Sequence, residues 1–312
     1  MTPQDTTAAE QRERRRWKQV VWLSAGAIAL FVGIRLLPTG TNLSHMDFRA
    51  KSSNPVVFCD PLDPQFIPVS EMRSPVSLSL HSAPAKAGEP LQFTVELRSS
   101  SGKPVGPADL LVVHTRKLHL LVVDPTLADY QHLHPKPGSK TGEWVSAFTP
   151  KSGGVYRIFA DFTPAATGRG LYAGTDLIVQ GAPGTGLPGL QDRPDSNTAT
   201  LANCDFTLEH TTPVRARQAT ALTLHLRRQD GAPIELGLVM GTFAHLVAFD
   251  ETRSGFAHLH PDESDLTRTP DPLSPRLGFK VTLPHSGRYV IWAQLNLEGH
   301  ECFVLFWFTA VY

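Results

Sequence analysis

An internal repeat limits what this chain can become more than any other feature. The segment "LHSAPAKAGEPLQFTVELRSSSGKPV", Leu80 to Val105, lies without a gap on "EHTTPVRARQATALTLHLRRQDGAPI", Glu209 to Ile234. A second pair follows in the same order: "LHLLVVDPTLADYQHLHP", Leu118 to Pro135, on "AHLVAFDETRSGFAHLHP", Ala244 to Pro261. A third, "GGVYRIFADF" from Gly153, matches "SGRYVIWAQL" from Ser286, with Tyr156 on Tyr289. Two copies of one unit, each near the ordinary size of a small domain, therefore account for most of the chain. The boundaries read as 75–181 and 204–312, joined by a Gly/Pro/Ser-bearing linker at 182–203 and preceded by another at 38–74.

Within each copy, short β-branched and aromatic runs such as "LQFTVELR", "VYRIFADF", "ALTLHLRR" and "FVLFWFTAVY" alternate in polarity and are punctuated by turn residues. No stretch of either copy carries a helical period with caps at both ends. About seven short strands in some hundred residues predict an all-β protein: two tandem immunoglobulin-like β-sandwich domains after an N-terminal transmembrane helix.

That helix is read from the basic cluster Arg12, Arg14, Arg15, Arg16 and Lys18, which runs directly into an apolar stretch, Val20 to Leu37. At helical rise this reaches roughly 27 Å, enough to span a bilayer, with Arg35 snorkelling at the far edge. Residues 1–18 are then a cytoplasmic tail and 19–37 the anchor. The basic flank places the N-terminus inside, and the bulk of the protein in the periplasm of an inner-membrane protein. "LLPTGTNLSHMDF" lacks a small-residue cleavage site, and Cys59 lies too far downstream for lipidation, which favours an uncleaved anchor. Lys plus Arg and Asp plus Glu are both 29, so no net charge draws the chain to nucleic acid.

Chemistry, if present, sits in a histidine pattern that occurs twice: one His in a strand, then His-x-His-Pro in the next. The spacing from His119 to His132 equals that from His245 to His258. If the strands form a hairpin with Val123 opposite Tyr130, and Phe249 opposite Phe256, then His119, His132 and His134 share a face, as do His245, His258 and His260. A one-residue slip would disperse either set. Three imidazoles suit a divalent transition metal, copper or zinc, and the scarcity of nearby Met and Cys argues against a Cu(I) site. His300 and Cys302, in "EGHECF", add candidate metal ligands to the second copy. Asp124 and Asp250 belong to the hairpin turns, and Asp161 is a candidate buried polar anchor, whose replacement by Gln294 in the second copy argues against a catalytic role. The plainer alternative is that the histidines close strand ends and bond neighbouring backbone. Cys204 and Cys302 are candidates for a bridge, with Cys59 as rival partner. No nucleophile elbow, phosphate loop or H-E-x-x-H occurs, so no enzyme is indicated.

The paired "HLHP" segments, each followed by a glycine-tyrosine strand, resemble the YtkA-like and FixH-like extracytoplasmic β-sandwich proteins, and are distantly similar in style to CopC-like copper carriers. The resemblance implies an accessory role in metal handling or delivery, with a membrane-protein or metallochaperone partner. Its alternative is a metal-free assembly module docking a membrane or respiratory complex. A weaker third reading is an envelope protein that binds carbohydrate or peptide.

Overall fold

The computed structural model describes residues 3–36, 43–49, 65–184, 194–262, 266 and 269–312. Cys59 and residues 37–42, which include the Val20–Leu37 span's last residue and part of "LLPTGTNLSHMDF", lie outside the described residues, and so does the Arg35 side chain. The chain forms two compact units, 1–42 and 43–312.

The first unit holds α1 (Pro3–Leu36). Its helicity begins well before the apolar run, so the basic cluster belongs to the same helix. Glu13–Ile34 has a mean hydropathy of 1.5 and is long and apolar enough to cross a membrane. This is consistent with single-pass anchoring.

The second unit contains both repeats. The first comprises β1 (Val76–Ser82), β2 (Ala85–Lys86), β3 (Leu91–Ser99), β4 (Leu118–Val123), β5 (Tyr130–Leu133), β6 (Lys136–Pro137), β7 (Glu143–Phe148), β8 (Gly154–Phe162) and β9 (Leu171–Gln180). They form two sheets, β1-β3-β7-β6 and β2-β9-β8-β4-β5. The second comprises β10 (Thr198–Leu201), β11 (Cys204–His210), β12 (Val214–Arg215), β13 (Ala219–Arg228), β14 (Leu236–Gly237), β15 (Ala244–Asp250), β16 (Ala257–Leu259), β17 (Arg276–Thr282), β18 (Gly287–Leu297) and β19 (His300–Val311). Its sheets are β10-β11-β13-β17 and β12-β19-β18-β15-β16, with β14 on β18. Each repeat is thus a β-sandwich, as its strand pattern predicts. The end of the 182–203 segment is not linker, because β10 pairs with β11 as an edge strand.

Burial along the strands shows how the sandwiches meet. β3 and β13 alternate between buried and more exposed positions, as strands with one face in water must. Every residue of β4 is buried, and so is β15 up to its last residue. Those strands are covered on both faces. One face packs into its own sandwich. The other meets the opposite repeat through a third apolar cluster that draws Leu121, Val123 and Phe159 from the first copy and Val247, Phe249 and Trp292 from the second. Tyr130 meets Phe249 with ring centroids 5.5 Å apart, and Phe159 meets Phe256 at the same separation. Polar bonds close the contact: Trp292 Nε1 donates to Leu127 O at 3.0 Å, and Arg157 donates to Arg253 O at 3.1 Å.

The described parts of the 38–74 segment are not a free tether either. Leu43 and Phe48 pack into the first sandwich, Phe66 into the second, and Ile67 into the cluster between them. Ile67 exchanges two backbone hydrogen bonds with Phe256. The approach demands glycine next door, since a Cβ on Gly255 would sit 1.7 Å from Ile67 O.

Candidate metal centre

The register of both hairpins is the one that alternation requires. Val123 pairs with Tyr130 and Leu121 with His132; in the second copy Leu246 pairs with Leu259 and Val247 with His258. Asp124 caps its turn by accepting from the backbone N–H of Ala128 and Asp129, both at 3.0 Å, and Asp250 accepts from Ser254 N at 2.7 Å. The turns therefore hold the register that puts the histidines on one face.

That face is the one the two repeats share. Instead of two separate sets, the structure gathers seven histidines in one cluster: the six of the repeated pattern and His114. Ring centroids of His119 and His258, from different copies, are 5.7 Å apart, and those of His132 and His258 are 5.2 Å apart. His119, His132 and His134 bring their ligand atoms within 4.8 Å of one another. In the second copy the corresponding set is His245, His260 and His114, with His114 in place of the expected His258. His258 lies beside both sets. His114 stacks on His260 at a centroid distance of 3.6 Å and an interplanar angle of 21°.

His114 belongs to the tight loop before β4, where Val113 bridges Arg116; Val239 bridges Thr242 in the same way before β15. Both loops use left-handed backbone, His114 and Thr115 in one, Met240 and Gly241 in the other. Met240 is thus the counterpart of His114, and a search for matching histidines passes over the position.

The hydrogen bonds dictate where protons sit. His119 Nε2 lies 3.1 Å from Val113 O, which only accepts, so His119 carries its proton there. The Gln294 amide nitrogen donates to Glu301, so its Oε1, 2.8 Å from His132 Nδ1, accepts from that nitrogen. His119 Nδ1 and His132 Nε2 are then left facing each other 3.1 Å apart with no proton between two neutral rings. His258 Nδ1 lies 3.1 Å from Asp161 Oδ2 and donates to it, leaving its own Nε2 without a partner. Each of these rings is oriented through one nitrogen by a carbonyl or carboxylate, the usual arrangement around a metal-binding imidazole.

Buried nitrogens without partners complete the inventory: His134 Nε2, His258 Nε2, His260 Nε2 and both nitrogens of His245, a residue with no solvent exposure. Such atoms cost roughly 1–3 kcal/mol each unless something binds them. Burial also pushes His119 and His134 down to about 4, and His132, His245, His258 and His260 well below the usual imidazole range. The imidazoles are therefore neutral at pH 7 and offer lone pairs. Burial raises the Asp161 carboxyl, against the pull of His119 and His114.

His300 and Cys302 do not join the cluster. Along β19 Phe303 packs toward the inter-repeat contact, so its neighbour Cys302 turns to the core of the second sandwich, while His300 is exposed at the β18–β19 hairpin. Cys204 and Cys302 are free thiols on strands of opposite sheets, β11 and β19. β19 runs between β12 and β18, not beside β11.

Fold and site together define a tandem β-sandwich protein with an N-terminal apolar helix and a histidine cluster between its repeats. The chain belongs to the family described as a domain of unknown function, DUF8832, whose model matches it twice, over residues 71–173 and 199–311. No curated protein matches it. Among solved structures it is similar to a Corynebacterium diphtheriae chain described as a membrane-anchored protein (10% identity, TM-score 0.23, covering 77% of this chain and 59% of that one). It is also similar to a DUF4785-family protein of Legionella pneumophila (10%, TM-score 0.25, 75% and 56%) and to fibronectin(III)-like modules of Clostridium thermocellum CbhA (11%, TM-score 0.19, 73% and 92%). The chain spans less than two thirds of the length of the first two.

Proposed function

We propose that this protein is a single-pass inner-membrane accessory factor, N-terminus in the cytoplasm and both sandwiches in the periplasm, that binds a divalent transition metal for handling or delivery. The observation carrying the proposal is the convergence of buried, neutral imidazoles with unused nitrogens: His134, His245, His258 and His260 have ring nitrogens without a hydrogen-bond partner, and His119 and His132 turn unprotonated nitrogens toward each other. A core histidine kept only for packing would satisfy both nitrogens. Donor chemistry favours copper, because imidazole sites bind Cu(II) most tightly among the first-row divalent ions. When bound, the metal supplies Lewis acidity at a protected all-nitrogen site; the chain's own residues orient the rings, keep them neutral and limit water.

Orientation in the membrane rests on the basic residues that precede the apolar span, Arg14 to Lys18. The test is calorimetric titration of purified protein with Cu(II) and Zn(II), comparing wild type with His132→Ala/His134→Ala and His258→Ala/His260→Ala. Binding that falls with each pair supports metal handling. Absence of micromolar binding by a folded wild-type protein ends the proposal, and leaves the metal-free assembly module as the reading to pursue.

A further inference from the structure

Resting on that metal-binding reading, we infer that the cluster is one binuclear centre that neither repeat can form alone. One ion would be held by His119, His132 and His134, and the other by His245, His260 and His114, with His258 between them. Three observations lead there independently. The second ligand-distance set is itself mixed, since His114 comes from the first repeat and His245 and His260 from the second. The groups that orient the rings also cross over: Gln294 of the second copy holds His132 of the first, and Asp161 of the first holds His258 of the second. Asp161 and Gln294 are aligned positions of the two repeats, so the crossing is reciprocal. Finally, rings of the two sets approach closely, His132 to His245 at 6.1 Å and His114 to His119 at 6.4 Å between centroids.

The two positions are chemically unlike. Asp161 is a carboxylate where Gln294 is a neutral amide, and a carboxylate partner makes an imidazole a stronger donor. Arg116 stands near His134; the aligned residue in the other repeat is the uncharged Thr242. Met240 replaces His114. The centre therefore binds its two ions with different affinities, and fills in steps.

The experiment is titration of the full chain in detergent with Cu(II), following metal content and the electron paramagnetic resonance spectrum at each equivalent. Two ions per chain are expected. The first equivalent gives an isolated Cu(II) signal, and the second gives intensity below the sum of two independent centres, with a half-field transition. His114→Ala, on the turn before β4, is expected to lose the second equivalent and its coupling while keeping the first. One ion per wild-type chain, or two with simply additive spectra, would overturn the shared centre and leave metal binding intact. No ion at all would remove both.

Discussion

The sharpest consequence of the orphaned nitrogens concerns His245→Leu. His245 has no exposure and neither ring nitrogen has a partner. At roughly 1–3 kcal/mol for each unsatisfied group, the native state carries about 2–6 kcal/mol of desolvation cost at this one residue. Leucine is similar in bulk and removes both polar atoms. After an allowance of about 1–2 kcal/mol for imperfect repacking, the variant is expected to be at least as stable as wild type in the metal-free state, by about 0–5 kcal/mol. With copper the order reverses: at a free concentration near 1,000 times Kd, binding adds about 4 kcal/mol to the wild type, and the variant loses much of that. Urea unfolding with chelator and again with excess Cu(II) reads both. A variant less stable than wild type by more than 1 kcal/mol under chelator would refute the reasoning, because it would mean the His245 nitrogens are already satisfied.

Acid should unfold the metal-free protein earlier than its composition implies. In the unfolded chain His119 titrates near 6.5, but burial holds it to about 4 in the fold, so the unfolded state binds the extra proton in that window. Stability is then lost as pH falls from 6.5 to 4, by about 3 kcal/mol for this residue, which urea midpoints at pH 7.5, 6 and 5 will show or contradict by staying level. Asp161→Asn keeps the shape but weakens the acceptor for His258, and is expected to lower metal affinity about 10–100-fold in calorimetry; unchanged affinity would detach His258 from the centre. Gly255→Ala forces a methyl against Ile67 O and should cost about 3 kcal/mol or more in thermal unfolding, since backbone offers no room to give. A neutral result there would mean that the 65–74 strap is not docked as described.

Much of this architecture was legible because strand periodicity is a local property. Alternation set the hairpin registers and so put His119, His132 and His134 on one face, while turn chemistry explained Asp124 and Asp250. What periodicity cannot say is what covers that face. The clue lay in "LHLLVV" and "AHLVAF", where polar alternation fails on both sides of the histidine, the mark of a strand buried twice. His114 escaped because it sits on a turn whose counterpart is Met240, so the repeat hid it. Asp161 was readable as a buried polar anchor, but its exchange for Gln294 gave no hint of a shared role; both accept a hydrogen bond from a histidine of the other copy, which a one-copy reading cannot reveal. His300 and Cys302 were drawn in by residue type, and the pleat sends them elsewhere.

The doubly covered strands also bear on how such a chain arises. A lone repeat would present Leu121, Val123, Phe159 and its histidines to water, and the surface best shaped to hide them is the same surface on a second molecule. Self-pairing of a single unit would give two identical half-sites related by a twofold axis, and symmetry would force every change on one side to appear on the other. Joining the units in one polypeptide lifts that constraint. His114 beside Met240, and Asp161 beside Gln294, are differences that only a fused pair can hold.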